Sequence, residues 1–280
     1  MLALTLGLSA SLAWGLADFF GGLQSRRRPL LVVILASQLA GLAMAGVVVA
    51  TLAGPAPPVA AMIPALAAGV TGAAALATFY RALQIGTMTI VAPIAATGAV
   101  VPVLAGLAGG ERPSPGQVAG MALAILGVVL ASRAADQPAA GRRIARRSVA
   151  FALLAAVLIG VTLTGYQLGA QTSALWTVFL ARAMSASIFA VVMLGMRPVV
   201  ALPARAWPAL AVIGIMDVGA NALFAVATTH GLLSVVAVLG SLYPVITVLL
   251  ARGVLGERVG PVQQIGVAGA LAGVVLMAGT

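Results

Sequence analysis

Residues 110–120 read GERPSPGQVAG, and residues 256–266 read GERVGPVQQIG. The two stretches share a Gly-Glu-Arg start and, in the same register, a proline, a glutamine and a final glycine. Further identical pairs lie 145 positions apart, among them Gly15 with Gly160 and Phe79 with Phe224. A repeat of about half the chain length predicts two similar structural units.

The composition indicates that both units are built for a lipid environment. Of 280 residues, 62% are apolar and only 7% are charged, whereas soluble domains carry roughly 25% charged residues. This excludes an ordinary water-soluble globule and a disordered chain. Apolar runs of about 20 residues are long enough to cross a bilayer as helices, and an all-α polytopic membrane protein with ten transmembrane helices is predicted. The predicted spans are residues 3–24, 30–53, 60–84, 87–109, 116–133, 148–169, 174–195, 208–229, 233–252 and 262–279.

The ten spans divide equally between two five-helix repeats, residues 1–133 and 148–280, which form one membrane domain. A basic segment, residues 134–147, is predicted to be a cytoplasmic linker between them. Because five is an odd number, the second repeat would enter the membrane with the opposite orientation to the first. Inverted repeats of this kind are typical of transporters.

The arginines predict the orientation of the spans. The chain has 15 basic residues, all of them Arg, and 13 belong to one alternate set of connections, while Arg112 alone belongs to the other. Short cytoplasmic loops collect Arg, so both termini are expected in the periplasm, with the chain in a bacterial inner (plasma) membrane. Since these arginines lie between apolar runs rather than on one soluble face, no nucleic-acid partner is expected.

Several kinds of chemistry are excluded by the residues present. The chain has no Cys and a single His, which rules out disulfides, thiolate metal sites and multi-His metal sites. The sequence contains neither a Gly-rich phosphate loop nor a Ser-His-Asp set. We therefore expect no enzyme, no cofactor and no metal, and transport driven by a gradient if it is active. A membrane enzyme or lipid flippase would need an interfacial reactive cluster, which the sequence lacks.

Charged residues inside predicted spans are costly in lipid and usually face a cavity or a partner. Arg182 and Asp217 lie near the middle of adjacent antiparallel spans, and we expect them to be neighbours, either as a structural pair or beside a cavity. Asp18 and Arg81 are a candidate pair at an inner gate. Glu111 is expected to face the N-terminal dipole of the next span.

Polar and aromatic residues at helical spacing predict where the spans turn inward, because lipid offers polar atoms no partner. Rings suit an ammonium group through cation–π attraction, and the Asn221 amide suits a carboxylate or an amine. For each residue the alternatives are core packing, a gate, or a hydrogen bond within its own helix. The candidate substrate-binding residues are Trp14, Phe79, Tyr80, Thr97, Tyr166, Asn221, Phe224, Ser241 and Tyr243.

Two five-helix units, each with a Gly-Glu-Arg turn before a last helix bearing Gln and Gly, resemble the drug/metabolite transporter superfamily, EamA type. Residues 231–234 (GLLS), 241–245 (SLYPV) and 255–258 (LGER) resemble that family's motif. The first half departs from it, since Ala99 occupies about the place of Pro244.

The resemblance implies a secondary transporter that exports small organic solutes by alternating access. Amino acids are the substrate class that the resemblance favours most, as in the YddG-like amino-acid exporters. Proton-coupled efflux of hydrophobic cations or drugs, and transport of other metabolites, are the alternatives. The expected partners are a small-molecule substrate and the lipid bilayer, with the chain a monomer or a weak homodimer.

Overall fold

A computed structural model describes residues 1–131, 142–196, 203–256 and 260–278, and in these ranges the chain forms helices and turns without a strand. Residues 134–141 of the predicted linker, and Glu257 and Arg258, lie outside the described residues. The helices are α1 (Leu2–Arg27), α2 (Leu30–Leu52), α3 (Val59–Ile85), α4 (Met88–Ala96), α5 (Val100–Ala108), α6 (Pro115–Ala131), α7 (Arg142–Met196), α8 (Trp207–His230), α9 (Leu233–Gly240), α10 (Tyr243–Leu255) and α11 (Pro261–Ala278).

The helix ends fall at the residues that local chemistry favours. Proline fixes φ near the helical value and lacks an N–H, so it suits the start of a helix. Accordingly, α6 and α11 begin at Pro115 and Pro261. The helix α10 ends at Gly256, whose φ of 66° is left-handed, a conformation that glycine adopts without a Cβ penalty.

Seven helical stretches of the described chain are long and apolar enough to cross a membrane. Exposed apolar side chains lie on all seven of these stretches, among them Leu104 (60% exposed), Val191 (68%) and Leu194 (75%). A soluble protein rarely leaves so much apolar surface in water. This surface is therefore suited to contact lipid chains.

The longest of these stretches contains a sharp turn. Ser173 within α7 has extended backbone angles (φ −163°, ψ 113°). A Cβ built on Gly169 would lie 2.5 Å from Thr177 Oγ1, although eight residues of straight helix span about 12 Å. The chain therefore folds back at Ser173, between the predicted spans 148–169 and 174–195. The two halves of α7 are residues 142–172 and 174–196.

Two predicted spans, residues 87–109 and 233–252, are each interrupted by one tightened turn, through which the backbone angles stay right-handed helical. The first is divided into α4 and α5 by a 3-10 turn, Thr97–Ala99, and the second into α9 and α10 at Ser241 and Leu242. The two interruptions occupy equivalent positions in the repeat. Irregular backbone at membrane depth is tolerated where it is buried in protein or lines a cavity.

Equivalent residues of the two halves also make equivalent contacts. A Cβ on Gly15 would lie 2.6 Å from Ile246 Cβ, and a Cβ on Gly160 would lie 2.5 Å from Val101 Cβ. Gly160 lies 145 positions after Gly15, and Val101 lies 145 positions before Ile246. In each pair, the glycine has no side chain, and this lets a helix of the other half approach its backbone closely. The two halves therefore use the same surface to pack on each other.

Glu111 binds a helix other than the one expected. Its carboxylate accepts the backbone N–H groups of Leu233 (2.5 Å) and Ser234 (3.0 Å), at the start of α9. The following helix, α6, was the predicted partner. A helix N-terminus presents unpaired N–H groups and partial positive charge, so the carboxylate caps the half-helix α9. This contact joins the first half of the chain to the second.

Candidate functional site

A cavity of about 120 Å³ lies between the two halves of the chain. Every helix from α1 to α4 contributes to it, together with both halves of α7, α8, α9 and α10. The helices α6 and α11 contribute no lining residue among those described; they pack against each other, with Gly120 close to Met277 and Gly273. The lining residues are Trp14, Asp18, Gln38, Ala68, Gly69, Gly72, Ala75, Leu76, Phe79, Ala96, Ala99, Ile159, Thr162, Leu163, Tyr166, Ala181, Arg182, Ser185, Asp217, Asn221, Gly240, Ser241 and Tyr243.

Both interrupted helices meet the cavity at their interruptions. Ala96 and Ala99 flank the break between α4 and α5, and Gly240 and Ser241 flank the break between α9 and α10. Transporter sites are typically built where discontinuous helices meet at the interface between repeats. The breaks therefore place irregular backbone beside the cavity and not beside lipid.

A charged group of three residues forms part of the wall. Arg182 makes an ion pair with Asp217 through Nη2 and donates from Nη1 to Gln38 Oε1 at 2.6 Å. The predicted contact between Arg182 and Asp217 is confirmed. Gln38 was not predicted, because a single polar residue in an apolar span gives no periodic signal. Two acceptors on one guanidinium leave its charge largely compensated.

Four other polar side chains at the cavity have no hydrogen-bond partner among the described residues: Asp18, Tyr166, Ser185 and Asn221. Each is buried, and buried polar groups in proteins almost always have a partner. Leaving such a group unpaired costs about 1–3 kcal/mol. Because these groups face one open space, they are available to water or to a bound solute.

Aromatic rings form another part of the wall. Phe79 and Tyr243 are in edge-to-face contact with ring centroids 6.3 Å apart, and the Tyr243 hydroxyl donates to the Ala92 carbonyl at 3.3 Å. Trp14 approaches from α1 and packs on Phe224 at 5.6 Å. The rings are thus held in place by neighbours, which suits a wall of fixed shape.

Three candidate residues lie outside the cavity. Phe224 is fully buried behind Trp14, so its face on α8 is covered by another ring. Tyr80 is buried with its hydroxyl against Gly21 of α1. The Thr97 hydroxyl donates to the Ile94 carbonyl at 2.7 Å. It therefore makes a hydrogen bond within its own helical segment, which was one of the alternatives to substrate binding. Six of the candidates line the cavity: Trp14, Phe79, Tyr166, Asn221, Ser241 and Tyr243.

The proposed gate pair between Asp18 and Arg81 is not formed. Arg81 is exposed and donates to Gln84 Oε1 at 2.6 Å. The ends of α1 and α3 are joined instead by Arg26, which donates to the carbonyls of Leu83 (3.2 Å) and Gly86 (2.8 Å). Arg26 thereby satisfies carbonyls at the C-terminus of α3, where a cation is favoured.

The site offers no recognisable metal centre in the part of the chain that is described. There, no three residues among His, Cys, Asp and Glu come together in a group that could hold an ion. The cavity offers hydrogen-bonding groups, aromatic surface and one carboxyl group, that of Asp18, which has no ion-pair partner among the described residues.

Comparisons with known proteins agree with this architecture. A search of curated proteins returns no match. Among solved structures, one whose description reads "Crystal structure of protein" superposes with a TM-score of 0.74, covering 99% of this chain and 98% of that chain at 20% identity. At this identity the likeness shows the fold alone.

A sequence profile of the EamA-like transporter family matches residues 1–133 and again residues 146–279. The two matches agree with the internal repeat, and together they span nearly the whole chain. The profile does not distinguish the YddG-like exporters from other members. The chain belongs to the EamA-like transporter family, a family of multi-pass membrane transporters of small solutes.

Proposed function

We propose that this chain is a secondary transporter that exports small organic solutes, amino acids first among them, through the cavity between its two halves. The observation that carries the proposal is the group of unpartnered polar side chains at that cavity. Asp18, Tyr166, Ser185 and Asn221 present a carboxyl group, two hydroxyls and an amide to one cavity. These groups match the ammonium and carboxylate of an amino acid.

The size of the cavity supports a small solute. Its volume is about 120 Å³, whereas pockets for drug-sized ligands typically measure about 300–1,000 Å³. Fixed aromatic contacts, such as that between Phe79 and Tyr243, and the buried ion pair of Arg182 oppose a large expansion. A compact amphipathic molecule fits this space better than a bulky drug.

Alternating access is supported by the internal repeat and by the two interrupted helices. Two similar halves that pack through equivalent surfaces can exchange conformations, so that one opening closes as the other forms. Equivalent contacts at Gly15 and Gly160 are what such an exchange requires. We propose that the halves are inverted five-helix repeats, comprising ten transmembrane helices in all.

Contacts between helix ends support the proposed topology, in which both termini face the periplasm of a bacterial inner membrane. Glu111 meets the start of α9, and Trp176 Nε1 donates to the Gly54 carbonyl at 3.0 Å. Ten crossings would place both of these contacts on the outer side. The same crossings place the contact between Arg26 and Gly86 on the Arg-rich inner side.

A second candidate is the efflux of hydrophobic cations, because one observation favours it. Such a transporter needs a carboxylate in the membrane that no protein cation compensates. Asp18 meets this requirement, since it has no ion-pair partner among the described residues. The two candidates differ in the size and the charge of the solute that they accept.

Transport by the purified chain in proteoliposomes tests the proposal. We expect uptake of at least one amino acid from a panel that also contains cationic dyes and sugars. Asn221→Ala is expected to lower the apparent affinity about tenfold, because a hydrogen bond to a charged group contributes about 1.5–3 kcal/mol. Trp207→Ala is the control, since Trp207 is 49% exposed and does not line the cavity. Absence of amino-acid uptake, or normal uptake by Asn221→Ala, would contradict the proposal.

A further inference from the structure

Among the described residues that line the cavity, two carboxyl groups, Asp18 and Asp217, accompany one guanidinium group, Arg182. Arg182 is engaged by Asp217 and Gln38, whereas Asp18 lines the same cavity and has no hydrogen-bond or ion-pair partner among the described residues. Asp18 is only 9% exposed, so little water reaches its carboxyl group. A charge in this position is costly unless something positive binds beside it.

The surroundings of Asp18 suit one kind of positive group. Trp14 lies one turn earlier on α1 and lines the same cavity, as do Phe79 and Tyr243. Aromatic faces attract a cation within about 6 Å of the ring centroid. A carboxylate beside such rings favours an alkylammonium, because the carboxylate pairs with the charged nitrogen. The rings pack against the carbon atoms next to that nitrogen.

We propose that Asp18 binds the ammonium group of the transported solute, with Trp14, Phe79 and Tyr243 enclosing the adjacent carbon atoms. This inference rests on the proposed transport function and names the recognition element within the same cavity. It assigns different roles to the two carboxylates. Asp217 holds Arg182 in place, whereas Asp18 contacts the solute.

Because Asp217 already engages the guanidinium, a solute with a carboxylate but no ammonium finds no free cation among the described cavity residues. The cavity is therefore expected to distinguish solutes by whether they carry an ammonium group. Leucine and 3-methylbutylamine both carry an ammonium on a branched carbon chain, and 4-methylpentanoate is leucine without its ammonium. These three molecules separate the contribution of each charge.

Stability provides the first readout. Asp18→Asn removes a buried carboxyl group that has no partner among the described residues, so the apparent melting temperature of the detergent-purified chain is expected to stay unchanged or to rise. A structural role for Asp18 would instead lower it. Asp217→Asn removes a carboxylate that is paired, and its melting temperature is expected to fall. A clear loss of stability in Asp18→Asn would overturn the proposed role.

Binding provides the second readout, measured by competition on the intact chain in detergent or proteoliposomes. The unsubstituted chain is expected to bind leucine and 3-methylbutylamine and to ignore 4-methylpentanoate. Asp18→Asn is expected to weaken both ammonium probes at least tenfold, and Asp18→Glu to retain part of the binding. Arg81→Gln, which removes an exposed charge bonded only to Gln84, is the control and is expected to bind normally.

The outcomes distinguish the inference from the proposed function. If the unsubstituted chain binds the ammonium probes and Asp18→Asn binds them within twofold, the role of Asp18 is wrong while the transport proposal stands. Equal competition by 4-methylpentanoate also overturns the role of Asp18. If neither leucine nor 3-methylbutylamine binds the unsubstituted chain, both the inference and the amino-acid proposal fail, and binding of tetraphenylphosphonium would then favour the efflux of hydrophobic cations.

Discussion

Replacing Asp217 by asparagine is expected to destabilise the chain by about 3–5 kcal/mol, because it leaves the buried guanidinium of Arg182 without its countercharge. Arg182 is 4% exposed and Asp217 21% exposed, so little water can compensate. Arg182→Gln is expected to have a similar effect. The double variant should be destabilised less than the sum of the two single variants, since a lone buried charge is worse than none.

A double-mutant cycle on the free energy of unfolding in micelles measures this coupling. Neutral hydrogen bonds between membrane helices couple by about 0.6 kcal/mol on average and at most about 1.7 kcal/mol. Coupling above that limit is therefore expected for an ion pair. Additive single effects would show that Arg182 and Asp217 do not depend on each other.

Gly214→Ala is expected to be the most damaging replacement of a glycine on α8. A Cβ on Gly214 would collide with the carbonyl oxygen of Ser37 and lie 3.0 Å from the backbone nitrogen of Gly41. Both neighbours are backbone atoms of α2 and cannot rotate away. Overpacking of this kind costs about 1–3 kcal/mol or more, and here it would also displace Arg182, whose Nε lies close to Gly41.

Gly219→Ala on the same helix is the matched control. A Cβ on Gly219 would have no heavy atom within 4 Å, so only helix propensity changes, and a gain of about 0.5–1 kcal/mol is expected. Thermal unfolding in detergent compares the two variants directly. Equal stability of Gly214→Ala and Gly219→Ala would mean that α2 and α8 do not cross at Gly214.

Much of the fold follows from the sequence because the physics of lipid is restrictive. An apolar run of about 20 residues must satisfy its backbone as a helix, and prolines and glycines mark where each helix begins and ends. The breaks within residues 87–109 and 233–252 were not predicted. They fall at Thr97-Gly98 and at Gly240-Ser241, small or polar residues that are also common inside continuous membrane helices, so the sequence alone does not locate the turns.

The candidate site was predicted in part for a related reason. Spacing on a helix indicates which residues share a face, and Asn221, a candidate chosen in this way, lines the cavity. The same spacing placed Phe224 there, whereas Trp14 from another helix covers that ring. Asp217 was predicted as the partner of Arg182 because the two residues lie at equal depth in adjacent spans. Gln38 lies on α2, and depth in the membrane does not indicate that α2 packs beside Arg182. Contacts between distant segments decide these cases.

Access to the cavity from both sides of the membrane tests the central claim most directly. The chain has no Cys, so a single Cys at Ala75, which lines the cavity from α3, reports on that cavity alone. Ala82→Cys on the same helix is the control, because Ala82 is fully buried and does not line the cavity. We expect a membrane-impermeant thiol reagent to modify Ala75→Cys in right-side-out and in inside-out vesicles, more slowly when a transported solute is present, and to leave Ala82→Cys unmodified. Modification from one side only, under all conditions and without protection by solute, would contradict alternating access through this cavity.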